Sequence, residues 1–154
     1  MTIRWILVSN ASEAVLYSTD SLARSLRFNK RFQHAESRAK NSELSSDTNG
    51  RKPGRGASAF SGSGAEAHTD PKEVEHQRFA HQLSDALNRG LLQHSYEGLV
   101  LCAPPHFLGL LRPNLSSDAA RALEVTLNKD LTHLDERALS DVVHSALKGA
   151  GRVG

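Results

Sequence analysis

The sequence is short of several things, and each shortage closes off a class of function. It has one cysteine, Cys102, in 154 residues. A single thiol allows neither an intrachain disulfide nor a thiolate metal cluster, and a reducing cytoplasm fits that usage. No run approaches the roughly 20 apolar residues needed to cross a bilayer, so no membrane is expected as a partner. The stretch from Met1 to Val8 has too short an apolar run for a signal peptide and reads as a first strand. Aromatic residues make up only 5% of the chain, against 38% for all hydrophobic types. The deficit is concentrated between Glu36 and Asp70, where Leu44 and Phe60 stand alone among glycine, serine, alanine and charge. That composition describes a flexible loop, and a loop of such length inside one domain tends to be functional or disordered.

Familiar catalytic and cofactor patterns are missing as well. There are eight histidines, but no two lie four apart on a helix, and no HExxH or Cys/His pattern appears. No metal is expected, and the histidines read as surface residues. No Gly-x-Ser-x-Gly elbow joins a strand to a helix. A phosphate cradle needs a helix N-terminus directly after its glycines, whereas Gly54-Arg55-Gly56 is well separated from one. No cofactor is expected and no catalytic residue is assigned.

What is present is unevenly placed charge. The net charge is +2, yet Arg24 to Arg55 holds nine basic and three acidic residues, a local +6 that leaves −4 elsewhere. A basic segment on a mildly acidic body suits a polyanion such as RNA. The plain alternative is a loop kept soluble by its charge.

The rest of the chain reads as one α/β domain over residues 1–148, with a frayed tail at 149–154. Ile3–Ser9 and Ala14–Tyr17 suit a hairpin of buried strands, and the later half of Leu22–Phe32 suits a third, edge-like strand. Thr69-Asp70-Pro71 is a helix start, with Thr69 or Asp70 as N-cap. The helix should run to about Gly90, with Val74, Phe79, Leu83, Ala86 and Leu87 on its apolar face and Glu75 on the other side. Gly98–Ala103 reads as a central strand. Short helices are expected at His106–Leu111 and Ser116–Arg121, a strand at Leu123–Leu127 and a closing helix at Leu134–Leu147.

Two places could bind something. The first is Lys52-Pro53-Gly54-Arg55-Gly56, with Arg51 before it: glycines admit close backbone approach and cations attract phosphate. The second is the turn Pro104-Pro105-His106 with Gly109 and Arg112, beyond the carboxyl end of the central strand, where α/β sheets tend to bind ligands. For that turn the structural alternative is strand termination by the prolines, close packing at Gly109 and helix capping by Arg112.

Taken together, Thr69-Asp70-Pro71, Phe79-Ala80, the run Leu99 to Arg112 and Lys129-Asp130-Leu131-Thr132 resemble the bacterial family labelled "protein required for attachment to host cells". That family is in turn similar to the central domain of archaeal and eukaryotic class I peptide-chain release factors. The resemblance implies a mixed sheet with an N-terminal antiparallel meander, a long central helix and a closing helix. It also implies that Lys52 to Ala59 matches the loop that carries Gly-Gly-Gln in release factors. Ala57 and Ser58 stand where Gly-Gln would continue, and the loop holds no glutamine. The hydrolytic role is therefore not carried over. The leading expectation is a cytoplasmic, non-catalytic module contacting the ribosome, rRNA or tRNA through Arg51, Lys52, Gly54, Arg55 and Gly56. A hydrolase of peptidyl-tRNA-type esters, and an interaction protein with a host or cell-surface partner, are the alternatives.

Overall fold

The computed structural model describes residues 2–20, 25–34 and 70–153. The basic loop, including Arg51, Lys52, Gly54, Arg55 and Gly56, lies outside the described residues. Strands β1 (Arg4–Ser9), β2 (Glu13–Thr19) and β3 (Arg27–Gln33) form the expected antiparallel meander. Helix α1 (Pro71–Leu92) leads into β4 (Gly98–Cys102). Short helices α2 (Pro105–Leu111) and α3 (Ser117–Ala122) precede β5 (Leu123–Leu127), and α4 (Glu136–Gly149) follows. One mixed sheet results, in the spatial order β3, β2, β1, β4, β5, with β4 parallel to both of its neighbours.

The central strands are apolar from Trp5 to Val8 and from Gly98 to Cys102 because both faces of the sheet are covered. Alternate side chains go to opposite faces. Leu7, Leu16, Leu99 and Leu101 meet Phe79, Leu83 and Leu87 of α1 and Phe107 and Leu111 of α2. Ile6, Val8, Val15, Val100 and Cys102 meet Leu139, Val143 and Leu147 of α4. The layers are therefore helix, sheet, helix. Cys102 is fully buried, and desolvation pushes its thiol up to about 12, so it serves as a small apolar side chain. At the edge, β3 buries Phe32 while Arg27, Lys30 and Arg31 stay exposed. Charge on an exposed edge discourages pairing with another chain.

Helix α1 begins where the sequence puts it. The Asp70 carboxylate accepts the Lys72 N–H at 3.1 Å, and Pro71 opens the first turn. Phe79, Leu83 and Leu87 form its buried stripe, with Val74 and Ala86 half-buried at its sides. Glu75 departs from expectation: it is buried rather than on the solvent face. Near the other end, Gly90 lets the helix sit against β1. A Cβ there would come within 2.5 Å of the Trp5 ring, which stacks on Tyr96 at 4.6 Å.

Tyr96 gives a first test of this packing. It is 1% exposed, and its hydroxyl donates to the Leu87 carbonyl at 2.7 Å. Tyr96→Phe should cost about 1 kcal/mol at neutral pH, since it removes one buried hydrogen bond. Desolvation also raises the phenol to about 12. The folded protein thus holds the proton that the unfolded chain releases near the ordinary tyrosine value. Wild-type stability is full below that value and falls as pH rises from it towards about 12. Urea unfolding at pH 9 and pH 11 should show this fall in wild type and less of it in Tyr96→Phe.

Candidate functional site

Strand direction decides where a site can form. β1, β4 and β5 are parallel, and β3, two antiparallel steps from β1, runs the same way. Their carboxyl ends share one edge of the sheet. The segment that contains the basic loop leaves this edge at the end of β3 and returns at Asp70, the cap of α1.

The departure point is held firmly. His34 follows β3, and its backbone N–H donates to the Ser12 carbonyl at 3.1 Å, next to the β1–β2 turn. Its ring is buried and stacks on Phe79, with centroids 5.3 Å apart. Its Nε2 lies 2.8 Å from Glu75 Oε1, and Arg78 Nη1 donates to the other oxygen of that carboxylate at 3.3 Å. These contacts are why Glu75 can be buried: an ionisable group leaves water only when it is paired.

Glu73 lies half a turn earlier on α1. Its Oε1 is 2.8 Å from His106 Nε2 and 3.9 Å from His76 Nδ1. The two imidazoles lie 6.5 Å apart and are tilted by 69°. His106 reaches this position because Pro104 ends the strand segment in an extended conformation and Pro105 opens α2. The structure therefore brings Pro104, Pro105 and His106 of the expected turn to the edge. Gly109 and Arg112 are placed elsewhere. Gly109 is exposed, with open space where a Cβ would stand. Arg112 is exposed at the far end of α2, about 9 Å along the helix axis from His106.

The same edge carries a second polar group, on the Lys129-Asp130-Leu131-Thr132 stretch. Asn10 Nδ2 donates to Asp130 Oδ2 at 3.1 Å, while Asn10 Oδ1 accepts the N–H groups of Ser12 and Glu13 at 2.8 and 3.0 Å. The backbone N–H and hydroxyl of Thr132 donate to Asp130 Oδ1 at 3.0 and 2.6 Å. Partial burial works to raise the Asp130 carboxyl. The bonds from Thr132 and Asn10, with nearby His133, outweigh burial and hold it below the usual carboxylate value. Asn10 thus ties the β1–β2 turn to the segment after β5. It orders the edge and offers no free nucleophile.

A groove lies at the opposite edge. It has a volume of about 600 Å³ and is lined in part by Leu91, Leu92, His94, Asp118 and Arg121. Arg121 is already paired with Asp118.

Sequence reading missed Glu73, Glu75, His34 and His76 as members of one site. No two histidines lie four apart on α1, which instead carries Glu73-x-x-His76 at a spacing of three that also shares a helix face. That motif, with a histidine four residues after the next strand, is the signal that was available.

A family model described as "Protein required for attachment to host cells" matches residues 5–143. No curated protein matches the sequence. A similar solved structure is that of an archaeal translation termination factor, aRF1, at 10% identity and a TM-score of 0.49. The similarity covers 96% of this chain and 39% of that one, so the chain spans about two fifths of the factor's length. No helix among the described residues is long and apolar enough to cross a membrane.

Proposed function

This chain belongs to the family of proteins required for attachment to host cells, and on that premise we propose that it is a non-catalytic binding module whose basic loop engages ribosomal RNA or tRNA. The observation that carries this reading is the coincidence of charge and anchorage. Arg24 to Arg55 has a net charge of +6, and the rest of the chain has −4. Five of the nine basic residues, Arg38, Lys40, Arg51, Lys52 and Arg55, lie between His34 and Asp70. The ends of that segment are held on the carboxyl edge by His34 on one side and the Asp70 cap on the other, while Arg27, Lys30 and Arg31 add charge on the adjoining strand β3. Anchored ends lower the ordering cost of a long loop that closes on a polyanion. Arg51, Lys52 and Arg55 supply the cations, and Gly54 and Gly56 let the backbone come close to phosphate.

The test is anisotropy of labelled tRNA and of a ribosomal RNA fragment, titrated with full-length protein at several salt concentrations. Affinity should fall linearly in log–log form with salt. Replacing Arg51, Lys52 and Arg55 together by alanine should weaken binding about 10- to 30-fold and flatten the salt slope by about one per lost cation. Binding that ignores both salt and the triple substitution would refute the reading. So would lysate capture of a partner that survives nuclease, which would favour a protein partner instead.

A further inference from the structure

We propose that Glu73, His76 and His106 form a zinc-binding site that bridges the first turns of α1 to the start of α2. One carboxylate oxygen and two imidazole nitrogens from these residues lie within 4.8 Å of one another. The donor set of two nitrogens and one oxygen suits Zn²⁺, a borderline ion that takes imidazole readily. With bonds of about 2.0–2.2 Å, tetrahedral zinc holds neighbouring ligand atoms about 3.4 Å apart. Glu73 Oε1 is 2.8 Å from one nitrogen and 3.9 Å from the other, so the required spacing falls between the two observed distances.

The backbone already fixes the approach. Glu73 and His76 share a face of α1 at a spacing of three, and the two prolines set His106 opposite them. All three side chains keep contact with solvent, so an ion can enter without unfolding and the ligands can adjust by rotation about χ. The short contact between Glu73 and His106 in the metal-free form is a hydrogen bond. Zinc would take the place of that proton, bonding to His106 Nε2 and Glu73 Oε1, and the neutral ring would carry its one N–H on Nδ1 instead. Glu75 does not compete for the ion, because its two oxygens face His34 and Arg78. Three protein ligands leave a fourth position for water or for an oxygen of a bound partner, the pattern of an open site. The site stands beside the cap at Asp70, where the basic segment returns, so a partner phosphate oxygen is a ligand of suitable chemistry.

Tag-free, full-length protein titrated with zinc chloride in a calorimeter tests this. One equivalent should bind with a Kd below about 10 µM. His106→Ala, His76→Ala and Glu73→Gln should each weaken binding by at least about 10-fold. His81→Ala, at an exposed histidine on the same helix, should leave it unchanged. His106 is two-thirds exposed, so its removal should leave the metal-free circular dichroism and melting temperature as they are, while abolishing the rise in melting temperature that zinc gives wild type. Cobalt should give visible d–d bands in wild type and lose them in His106→Ala. Absence of binding at 100 µM zinc, or binding equally sensitive to His81 and His106, would overturn the proposal.

Discussion

Phe79→Ala is expected to lower the unfolding free energy by about 4 kcal/mol, a large share of the roughly 5–15 kcal/mol that holds a domain together. Phe79 is fully buried at the carboxyl edge of the sheet. It stacks under His34 at 5.3 Å and packs on Phe107 at 5.8 Å. Truncation removes the transfer energy of the ring and leaves a cavity beneath three elements at once. The end of β3 and the start of α2 both lose their floor, so the roots of the basic segment and the Glu73–His106 contact loosen together. Phe79→Leu keeps most of the volume and should cost less than about 1.5 kcal/mol. Urea unfolding followed by the fluorescence of Trp5, the one tryptophan, reads both. A loss under 1.5 kcal/mol for the alanine variant would mean that the edge is not organised around this ring.

The same residue shows how far sequence reasoning reaches. Phe79 is legible as core because it falls on the apolar stripe of a helix with a clear cap, and Leu83 and Leu87 repeat the pattern. β1 and β4 are legible because strands covered on both faces are apolar without alternation, and β5 is found at its observed bounds, Leu123–Leu127. β3 is less distinct, since an exposed edge with Arg27, Lys30 and Arg31 leaves Phe32 as its buried anchor. The mixed sheet and its meander follow the resemblance, and the structure has both.

The site was harder to read for a physical reason. Periodicity on α1 puts Glu75 among polar residues, and within the helix that is correct. Its burial is imposed by His34, 41 positions earlier, which folds over it from the end of β3. Likewise His106 looked like a member of a turn with Gly109 and Arg112, because those residues are neighbours in sequence. In space its partners are Glu73 and His76, because parallel strand order brings the start of α2 beside the start of α1. Helical spacing reports one element at a time, whereas a site built from three elements is a property of sheet order. The expected contacts Arg51, Lys52, Gly54, Arg55 and Gly56 lie outside the described residues, and the role proposed for them rests on charge and on the glycines.

Glu124→Ala should cost about 3 kcal/mol, for a reason that lies at the other edge of the sheet. Arg4 opens β1 and is 3% exposed. Its Nε donates to Glu124 Oε1 at 2.5 Å and its Nη2 donates to Oε2 at 3.3 Å, so the fork of the guanidinium meets the carboxylate twice. Glu124 belongs to β5, two strands away, and the pair crosses over Gly98 of β4. A Cβ on Gly98 would come within 2.9 Å of the carboxylate, so the absence of a side chain there is what lets the two charges meet. Removing Glu124 takes the bidentate carboxylate from a buried guanidinium, so the desolvation already incurred loses that offset. Glu124→Gln keeps one acceptor and should fall between the alanine variant and wild type. Gly98→Ala should also destabilise, by pushing the carboxylate off Arg4. In the double variant Gly98→Ala with Glu124→Ala the two losses should not add, because the methyl group then meets open space. Urea unfolding of the four proteins closes the cycle. Simple additivity, or a Glu124→Ala loss under 0.5 kcal/mol, would show that the pair does not couple β1 to β5 across Gly98.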